Sequence, residues 1–205
     1  MAAHFLSDQN APNFDDPLGM LTACHGRIGR QLETLARLQR HLPEHGCDHD
    51  ARVAARAILK YFDTAAPNHH ADEEGSVFPR LVQSHAGGIE ILIADLARDH
   101  AALAANWRKL RPLLAAIAGG QRANLSPGQV AAVTAAYEAH IAREERDLIP
   151  LAARTFDAAT IAEIGREMAL RRGVDPAPPR PTPRRCQSPE PRRELSSREC
   201  ASLFP

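Results

Sequence analysis

Two histidine–glutamate pairs with identical spacing are the first sign of chemistry in this sequence. His69 precedes Glu73 by four residues, and His140 precedes Glu144 by four residues. Residues four apart on an α-helix lie on the same face, so each pair would present an imidazole beside a carboxylate. These two groups together suit iron, zinc, manganese or copper. The pairs therefore indicate a metal site, provided that helices turn them inward.

The two pairs belong to a longer internal repeat. In both copies a second glutamate follows the first, and an apolar pair and a proline follow at the same distance, as Val77-Phe78-Pro79 and Leu148-Ile149-Pro150. The helices that carry the repeat are thus pseudo-equivalent. In an up-down-up-down bundle they run parallel, so both pairs would point the same way along the axis and could meet at its centre.

Two further histidines interrupt apolar helical stripes. Apolar residues recur at steps of three and four along residues 18–42, and His25 fills the missing step between Leu21 and Ile28. His100 fills the corresponding gap in a second stripe along residues 89–114. Because such a stripe faces the core, both imidazoles are predicted to point inward.

The combination favours a metal over ordinary core packing. A single histidine on an apolar face is more often a hydrogen-bonded core residue, but ionised carboxylates are almost never fully buried unless they are paired or bind metal. Two inward glutamates beside four histidines therefore require a cation. The predicted ligands are His25, His69, Glu73, His100, His140 and Glu144.

The neighbouring polar residues are assigned lesser roles. His70 lacks the spacing to glutamate and proline that His69 shares with His140, so we expect it beside the site or at the surface. Ligating histidines usually donate their second N–H to an acceptor. The carboxylates that could accept it, or else face solvent, are Asp72, Glu74 and Glu145, with Asp99 as a further candidate.

The elements that must position these residues are all helices. Aromatic residues make up only 4% of the chain, and the long segments show helical periodicity without alternating β-branched residues. We predict an all-α, up-down-up-down four-helix bundle with helices over about 17–42, 50–82, 89–118 and 127–154, a kink at Pro67 and a short fifth helix after Asp157. The predicted domains are a flexible N-terminus (1–16), the bundle (17–172) and a disordered Pro/Arg-rich tail (173–205).

Composition excludes several classes of partner. The 25 basic residues equal the 25 acidic ones, which argues against nucleic acid and anionic membrane surfaces as partners. There is no apolar run of about 18 residues and no signal-like N-terminus, so the protein is expected in the cytoplasm. The cysteines, which lack CxxC spacing and are expected to be reduced and without a role in the site, are Cys24, Cys47, Cys186 and Cys200.

The ligand set also bears on the number of metals. Six ligands are too many for one tetrahedral zinc, and two ions bridged by Glu73 and Glu144 would each have roughly four protein donors. An added oxo or hydroxo bridge would leave about one open position on each ion. The residues therefore predict two metal ions with such a bridge.

The order H, HxxxE, H, HxxxE resembles that of the hemerythrin family, in its HHE cation-binding branch, over about residues 17–155. The resemblance implies a non-haem di-iron protein that reacts with or senses nitric oxide, peroxide or oxygen, in a stress response or in the repair of iron–sulfur centres. Oxygen carriers of the family have five ligand histidines and an HxxxxD motif, which differ from the four predicted here and from Glu144. The alternative is a sensor or storage module without catalysis, acting on a partner protein through the tail.

Overall fold

The computed structural model describes residues 13–84 and 87–175, and these residues form helices and turns without any strand. The predicted all-α class is therefore confirmed. Most of the predicted flexible N-terminus and disordered tail, together with Cys186 and Cys200, lies outside the described residues. None of the described helices is long and apolar enough to cross a membrane.

The helical elements follow the predicted order closely. They are α1 (Pro17–His45), α2 (His49–Lys60), π1 (Tyr61–Ala65), α3 (Ala66–Asp72), π2 (Glu73–Val77), α4 (Phe78–Gln83), α5 (Ile89–Ala118), α6 (Pro127–Arg143), π3 (Glu144–Leu148), α7 (Ile149–Thr155) and α8 (Ala158–Arg171). α2 to α4 form one uninterrupted helical run and α6 to α7 form another. The short fifth helix predicted after Asp157 is α8.

Aspartate side chains begin several of the helices. Asp16 accepts a hydrogen bond from the Gly19 N–H at 3.0 Å, and Asp157 accepts one from the Thr160 N–H at 2.8 Å. Each bond satisfies a donor that the first helical turn leaves free. The predicted end of α1 near Leu42 is corrected, because the helix continues through Pro43 until Gly46 takes a φ of 65°.

Three of the prolines follow turns of π-helix. π1, π2 and π3 end two residues before Pro67, Pro79 and Pro150, respectively. Proline lacks an N–H and its ring clashes with the carbonyl four residues earlier, and a wider turn with bonds to the fifth residue relieves that conflict. At Pro67, where a kink is predicted, the structure therefore has a π turn that ends two residues before the proline.

The four long helical runs form a closed ring of neighbours. α1 packs against α2 and α6, and α5 packs against the same two helices. This arrangement is compatible with the predicted four-helix bundle. The apolar residues form two clusters along it, one containing Ile28 and Leu103 and the other containing Leu21 and Leu96. The predicted metal ligands lie in a polar layer between these clusters.

α8 packs on α1, α3 and π2 beside this layer. Fully buried Asp72 accepts hydrogen bonds from Arg171 at 2.9 Å and from Arg172 at 2.6 Å. At Gly165, an added Cβ would lie 1.9 Å from the carbonyl oxygen of Phe14, so only glycine allows this approach. The ion pairs and the close contact together fix α8 against the helices that carry the site.

Candidate metal centre

The structure brings all six predicted ligands together in the polar layer, and each of them is buried. Their ligand atoms form two groups in which all atoms lie within 4.8 Å of one another. One group contains His25 and His69, the other contains His100 and His140, and both include Glu73 and Glu144. The two carboxylates are therefore common to both halves of the site.

Glu144 directs one oxygen toward each half. Its Oε2 lies 3.1 Å from His25 Nε2, and its Oε1 lies 3.0 Å from His140 Nε2. Donor atoms that bind one ion at about 2.1 Å and at right angles are about 3 Å apart. The spacing around each oxygen is thus that of neighbouring ligands of a metal ion.

The two carboxylate oxygens of Glu73 are likewise directed toward different halves of the site. Oε1 lies 3.6 Å from His69 Nε2, and Oε2 lies 3.3 Å from His100 Nε2. Both glutamates begin π turns, π2 and π3, at equivalent positions of the internal repeat. Each carboxylate thus has one oxygen near each histidine pair, and this arrangement is suited to bridging two cations.

The polar atoms at the centre lack partners that could satisfy them. Both carboxylate oxygens of Glu73 and of Glu144 are buried without a hydrogen-bond partner among the described residues, as is Nε2 of His25 and of His69. On the other side, His100 Nε2 and His140 Nε2 lie within hydrogen-bond distance of each other, 3.1 Å apart. Unpaired buried acceptors such as the glutamate oxygens are costly. Cations between these atoms would satisfy them, so the residues fit a pair of bound metal ions.

The second glutamate of each repeat orients a ligand histidine in the other half of the chain. His25 Nδ1–H donates to Glu145 Oε1 at 3.0 Å, and His100 Nδ1–H donates to Glu74 Oε1 at 2.7 Å. A carboxylate can only accept here, so each bond places the proton on Nδ1 and leaves the Nε2 lone pair directed into the centre. The sequence suggested this role as one of two possibilities for these half-exposed glutamates.

The remaining two ligand histidines are oriented differently. Asp99 Oδ2 lies 3.5 Å from His140 Nδ1 and accepts a shorter hydrogen bond, of 2.7 Å, from Arg143. Nδ1 of His69 has no partner among the described residues. Asp72, which the sequence placed at the surface or on a ligand histidine, does neither, because the arginines at the end of α8 bind it.

The two central carboxyls have opposite pKa shifts. Burial and the charge of Glu144 raise the pKa of Glu73 well above its usual value. Burial acts on Glu144 as well, but the nearby imidazoles of His100, His140 and His25 stabilise its charged form and lower its pKa below the usual value. Two carboxylates in one buried site do not both ionise without a positive charge, and two metal ions would supply that charge.

The pKa values of the ligand histidines also shift in opposite directions. Burial lowers the pKa of His69 to about 3, so its imidazole is neutral. Burial opposes protonation of His100 as well, but the neighbouring carboxylates of Glu144 and Glu73 raise its pKa to about 10. His25 is likewise buried, yet the neighbouring carboxylates of Glu144 and Glu145 raise its pKa. The buried carboxylates therefore favour positive charge at the centre. Protons on the histidines supply this charge, and bound metal ions could supply it in their place.

A cleft of about 210 Å³ reaches the His69 side of the centre. Its lining includes His69, Cys24, Arg27, Asn68 and Asp72. Cys24 is buried with its Sγ 3.1 Å from Tyr61 Oη, and burial raises the pKa of the thiol. The thiol of Cys24 is therefore neutral where it lines the cleft.

His70 lies closer to the centre than its spacing in the sequence indicated. Its ring stacks on that of His100 with centroids 4.0 Å apart and an interplanar angle of 14°. Its ligand atom lies within 4.8 Å of those of His100 and His140. Repeat alignment alone could not find this contact, because His70 has no histidine counterpart in the second copy.

Comparison with known proteins agrees with the geometry. The chain matches the hemerythrin HHE cation-binding domain over residues 16–152, which cover all six predicted ligands. It belongs to the hemerythrin HHE family. It is also 32% identical over 169 residues to an uncharacterised protein of Haemophilus influenzae, an alignment that covers 82% of this chain and 97% of the relative. The chain is thus a cation-binding member of the hemerythrin family.

Proposed function

We propose that this hemerythrin-family domain is a four-helix bundle that holds two iron ions. His25 and His69 bind one ion, His100 and His140 bind the other, and Glu73 and Glu144 bridge them. The observation that carries this proposal is the placement of the carboxylate oxygens. In each of the two glutamates, one oxygen lies near the His25–His69 pair and the other lies near the His100–His140 pair. Iron fits a set of imidazole and carboxylate donors that contains no thiolate.

The proposed activity is a reaction with nitric oxide, peroxide or oxygen in a cytosolic stress response, including the repair of iron–sulfur centres. Bound iron supplies electrons one at a time and a Lewis-acid position for a small ligand. Four protein donors to each ion would leave room for such a ligand, and the cleft that ends at His69 gives it a path.

The surrounding residues hold the ligands in place for that chemistry. Glu145 and Glu74 fix the ring orientation and the tautomer of His25 and His100. Their acceptor charge also makes each imidazole a stronger donor to a metal. The apolar clusters on both sides exclude water from the polar layer, which strengthens every electrostatic interaction within it.

A second candidate is a sensor that binds the same small molecules without turnover. The favouring observation is that Asp72, directly before Glu73, holds Arg171 and Arg172 at the end of α8. A change at the centre could therefore alter the packing of α8. The residues after α8 include the tail through which a partner protein was predicted to bind.

Iron analysis and turnover separate these proposals. Purified protein loaded anaerobically should hold two irons per chain, and a His69→Ala/His140→Ala double variant should lose both. Full iron retention by the double variant would refute the site. With excess peroxide or nitric oxide, repeated consumption per centre supports the reactive protein, whereas binding that stops at stoichiometric amounts supports the sensor.

A further inference from the structure

One of the four proposed ligand histidines has no carboxylate beside its outer nitrogen. Glu145 and Glu74 accept hydrogen bonds from Nδ1 of the ligand histidines of α1 and α5, and Asp99 Oδ2 lies 3.5 Å from Nδ1 of His140. His69 is 1% exposed, and its Nδ1 has no hydrogen-bond partner among the described residues. A buried imidazole nitrogen without a partner is unfavourable, so a further acceptor is expected at this ring.

The acceptor can come from solution, because His69 is part of the lining of the cleft described above. The cleft volume of about 210 Å³ has room for a small molecule together with several waters, since each water occupies about 30 Å³ in the liquid. The lining also includes the hydroxyl of Thr64 and the amide of Asn68. A polar solute in the cleft would therefore have hydrogen-bonding groups around it and His69 beside it.

The charge of the cleft favours an anion. Within the described residues, its lining contains two arginines, Arg27 and Arg172, and one carboxylate, Asp72. The oxygens of Asp72 are paired with Arg171 at 2.9 Å and with Arg172 at 2.6 Å, so the lining leaves no free carboxylate for Arg27. The cleft therefore has an excess of positive charge, and cations at the proposed centre would add to it.

The guanidinium of Arg27 lies close to the wall of this cleft. Burial is the main cause of a raised pKa at the Cys24 thiol and at the Tyr61 hydroxyl, and Arg27 opposes that rise in both groups. These two groups are in contact, with Sγ and Oη 3.1 Å apart, and Cys24 is part of the lining. A guanidinium presents paired N–H donors, which match the two oxygens of a small planar anion.

We propose that the cleft binds a small planar monoanion, a carboxylate or nitrite, whose oxygens accept hydrogen bonds from Arg27 and from Nδ1–H of His69. This inference rests on the proposed two-metal centre, in which His69 binds iron through Nε2. The anion stays outside the coordination sphere and does for His69 what Glu145 does for His25. Because a charged acceptor makes an imidazole a stronger metal donor, the anion and the iron strengthen each other's binding.

The test measures anion binding in three full-length proteins, both metal-free and loaded anaerobically with Fe²⁺. These are the wild type, Arg27→Gln and Arg30→Gln, the last of which removes an exposed arginine of α1 that is not part of the cleft lining. Formate, nitrite and chloride are each titrated by calorimetry. The irons are then titrated against a chelator with and without formate. Pulsed EPR of a half-oxidised sample with carbon-13-labelled formate locates the anion relative to the ions.

The wild type and Arg30→Gln should bind one formate per chain, and formate should tighten the binding of one iron about 10- to 100-fold. Arg27→Gln should bind formate about 10- to 100-fold more weakly, because hydrogen bonds to a charged partner are lost. Chloride, which cannot accept the paired donors with two oxygens, should bind more weakly than formate. Tighter binding of nitrite than of formate would assign the site to nitrogen oxyanions, and the reverse order would assign it to carboxylates.

Other results overturn the inference in distinguishable ways. No formate binding, or equal binding by the wild type and Arg27→Gln, shows that the cleft is not an anion site. A through-bond coupling between the iron spin and the formate carbon places the anion on the ion and not beside His69. Both results leave the two-metal centre intact. A wild type without two irons refutes the proposed function, whereas formate binding by metal-free protein that Arg27→Gln weakens would still support the anion site.

Discussion

At the scale of single residues, Glu73 and Glu144 decide what the site can hold. Both are fully buried, and their four oxygens have no hydrogen-bond partner among the described residues. Removing one ionised carboxylate from water already costs several kcal/mol, and a second one in the same site adds repulsion. Their environment is favourable when cations lie between them and the histidines.

Neutralising either bridging glutamate should release metal. We expect Glu73→Gln or Glu144→Gln to lose at least one of the two proposed irons, because an amide lacks the negative charge that would hold two cations close together. Elemental analysis of the purified variants measures this loss. Glu138→Gln, at an exposed position of α6, is the matched control. Two irons in both bridge variants would show that neither glutamate is a bridge.

Replacing Glu74 or Glu145, the outer glutamates that accept hydrogen bonds from ligand histidines, should have a smaller effect and should act on one iron only. Glu74→Gln should weaken the iron at His100, and Glu145→Gln should weaken the iron at His25, each by about 10- to 100-fold, because the hydrogen bond that orients the imidazole is weakened. Chelator competition resolves the two affinities. Equal weakening of both irons by either variant would contradict the pairing of each glutamate with one histidine.

The sequence was sufficient to predict which six residues meet, since each interrupts an apolar stripe at the same depth. It could not predict the contact of His70 with His100. That contact depends on how far α3 is rotated relative to α5, and a regular helical period does not include the extra residue of a π turn such as π1.

At the scale of elements, α8 is the helix whose packing was least predictable from the sequence. Its cap at Asp157 was recognisable, but its docking depends on Asp72 and on Gly165, neither of which has a distinctive pattern. A buried ion pair between distant elements leaves no periodic signal in a single sequence. The bounds of the longer helices were predicted to within three residues because their caps and apolar stripes are local features.

Gly165→Ala should destabilise the domain through α8. The added methyl would meet the Phe14 carbonyl, and overpacking of this kind costs about 1–3 kcal/mol. Gly29→Ala in α1 meets nothing within 4 Å and should instead stabilise the fold by about 0.4–1 kcal/mol. Denaturant unfolding of both variants measures the difference. If Gly165→Ala is as stable as Gly29→Ala, α8 does not pack on Phe14 in solution.

At the scale of the whole molecule, the metal centre joins two apolar clusters into one folded unit. Residues on α1, α3, α5 and α6, together with the first residues of π2 and π3, converge on the polar layer. Ions bound there interact with the folded chain and not with the unfolded one, since the ligands are distant in sequence. Metal binding must therefore add to the stability of the fold.

Removing the metal should lower the melting temperature. A free metal concentration of 100 times the dissociation constant contributes about 2.7 kcal/mol for each site. A domain of this size loses about 2–4 °C of melting temperature per kcal/mol, so we expect a chelator that empties both proposed sites to reduce the melting temperature by about 10–20 °C. Calorimetry with and without chelator tests this, and the His69→Ala/His140→Ala variant should show no chelator effect. A metal-loaded wild type with an unchanged melting temperature would contradict the buried location of the ions.

The hydrogen bonds between the outer glutamate of each half of the chain and a histidine of the other half have an evolutionary consequence. Residues 17–84 supply His25, His69 and Glu73, while residues 89–155 supply His100, His140 and Glu144. Each half also lends its outer glutamate to a histidine of the other half. Two identical hairpins, each with one such histidine and one HxxxEE motif, could therefore assemble the whole centre as a symmetric homodimer. Duplication and fusion of one gene for such a hairpin would then yield this chain, and His70 would mark where its halves diverged.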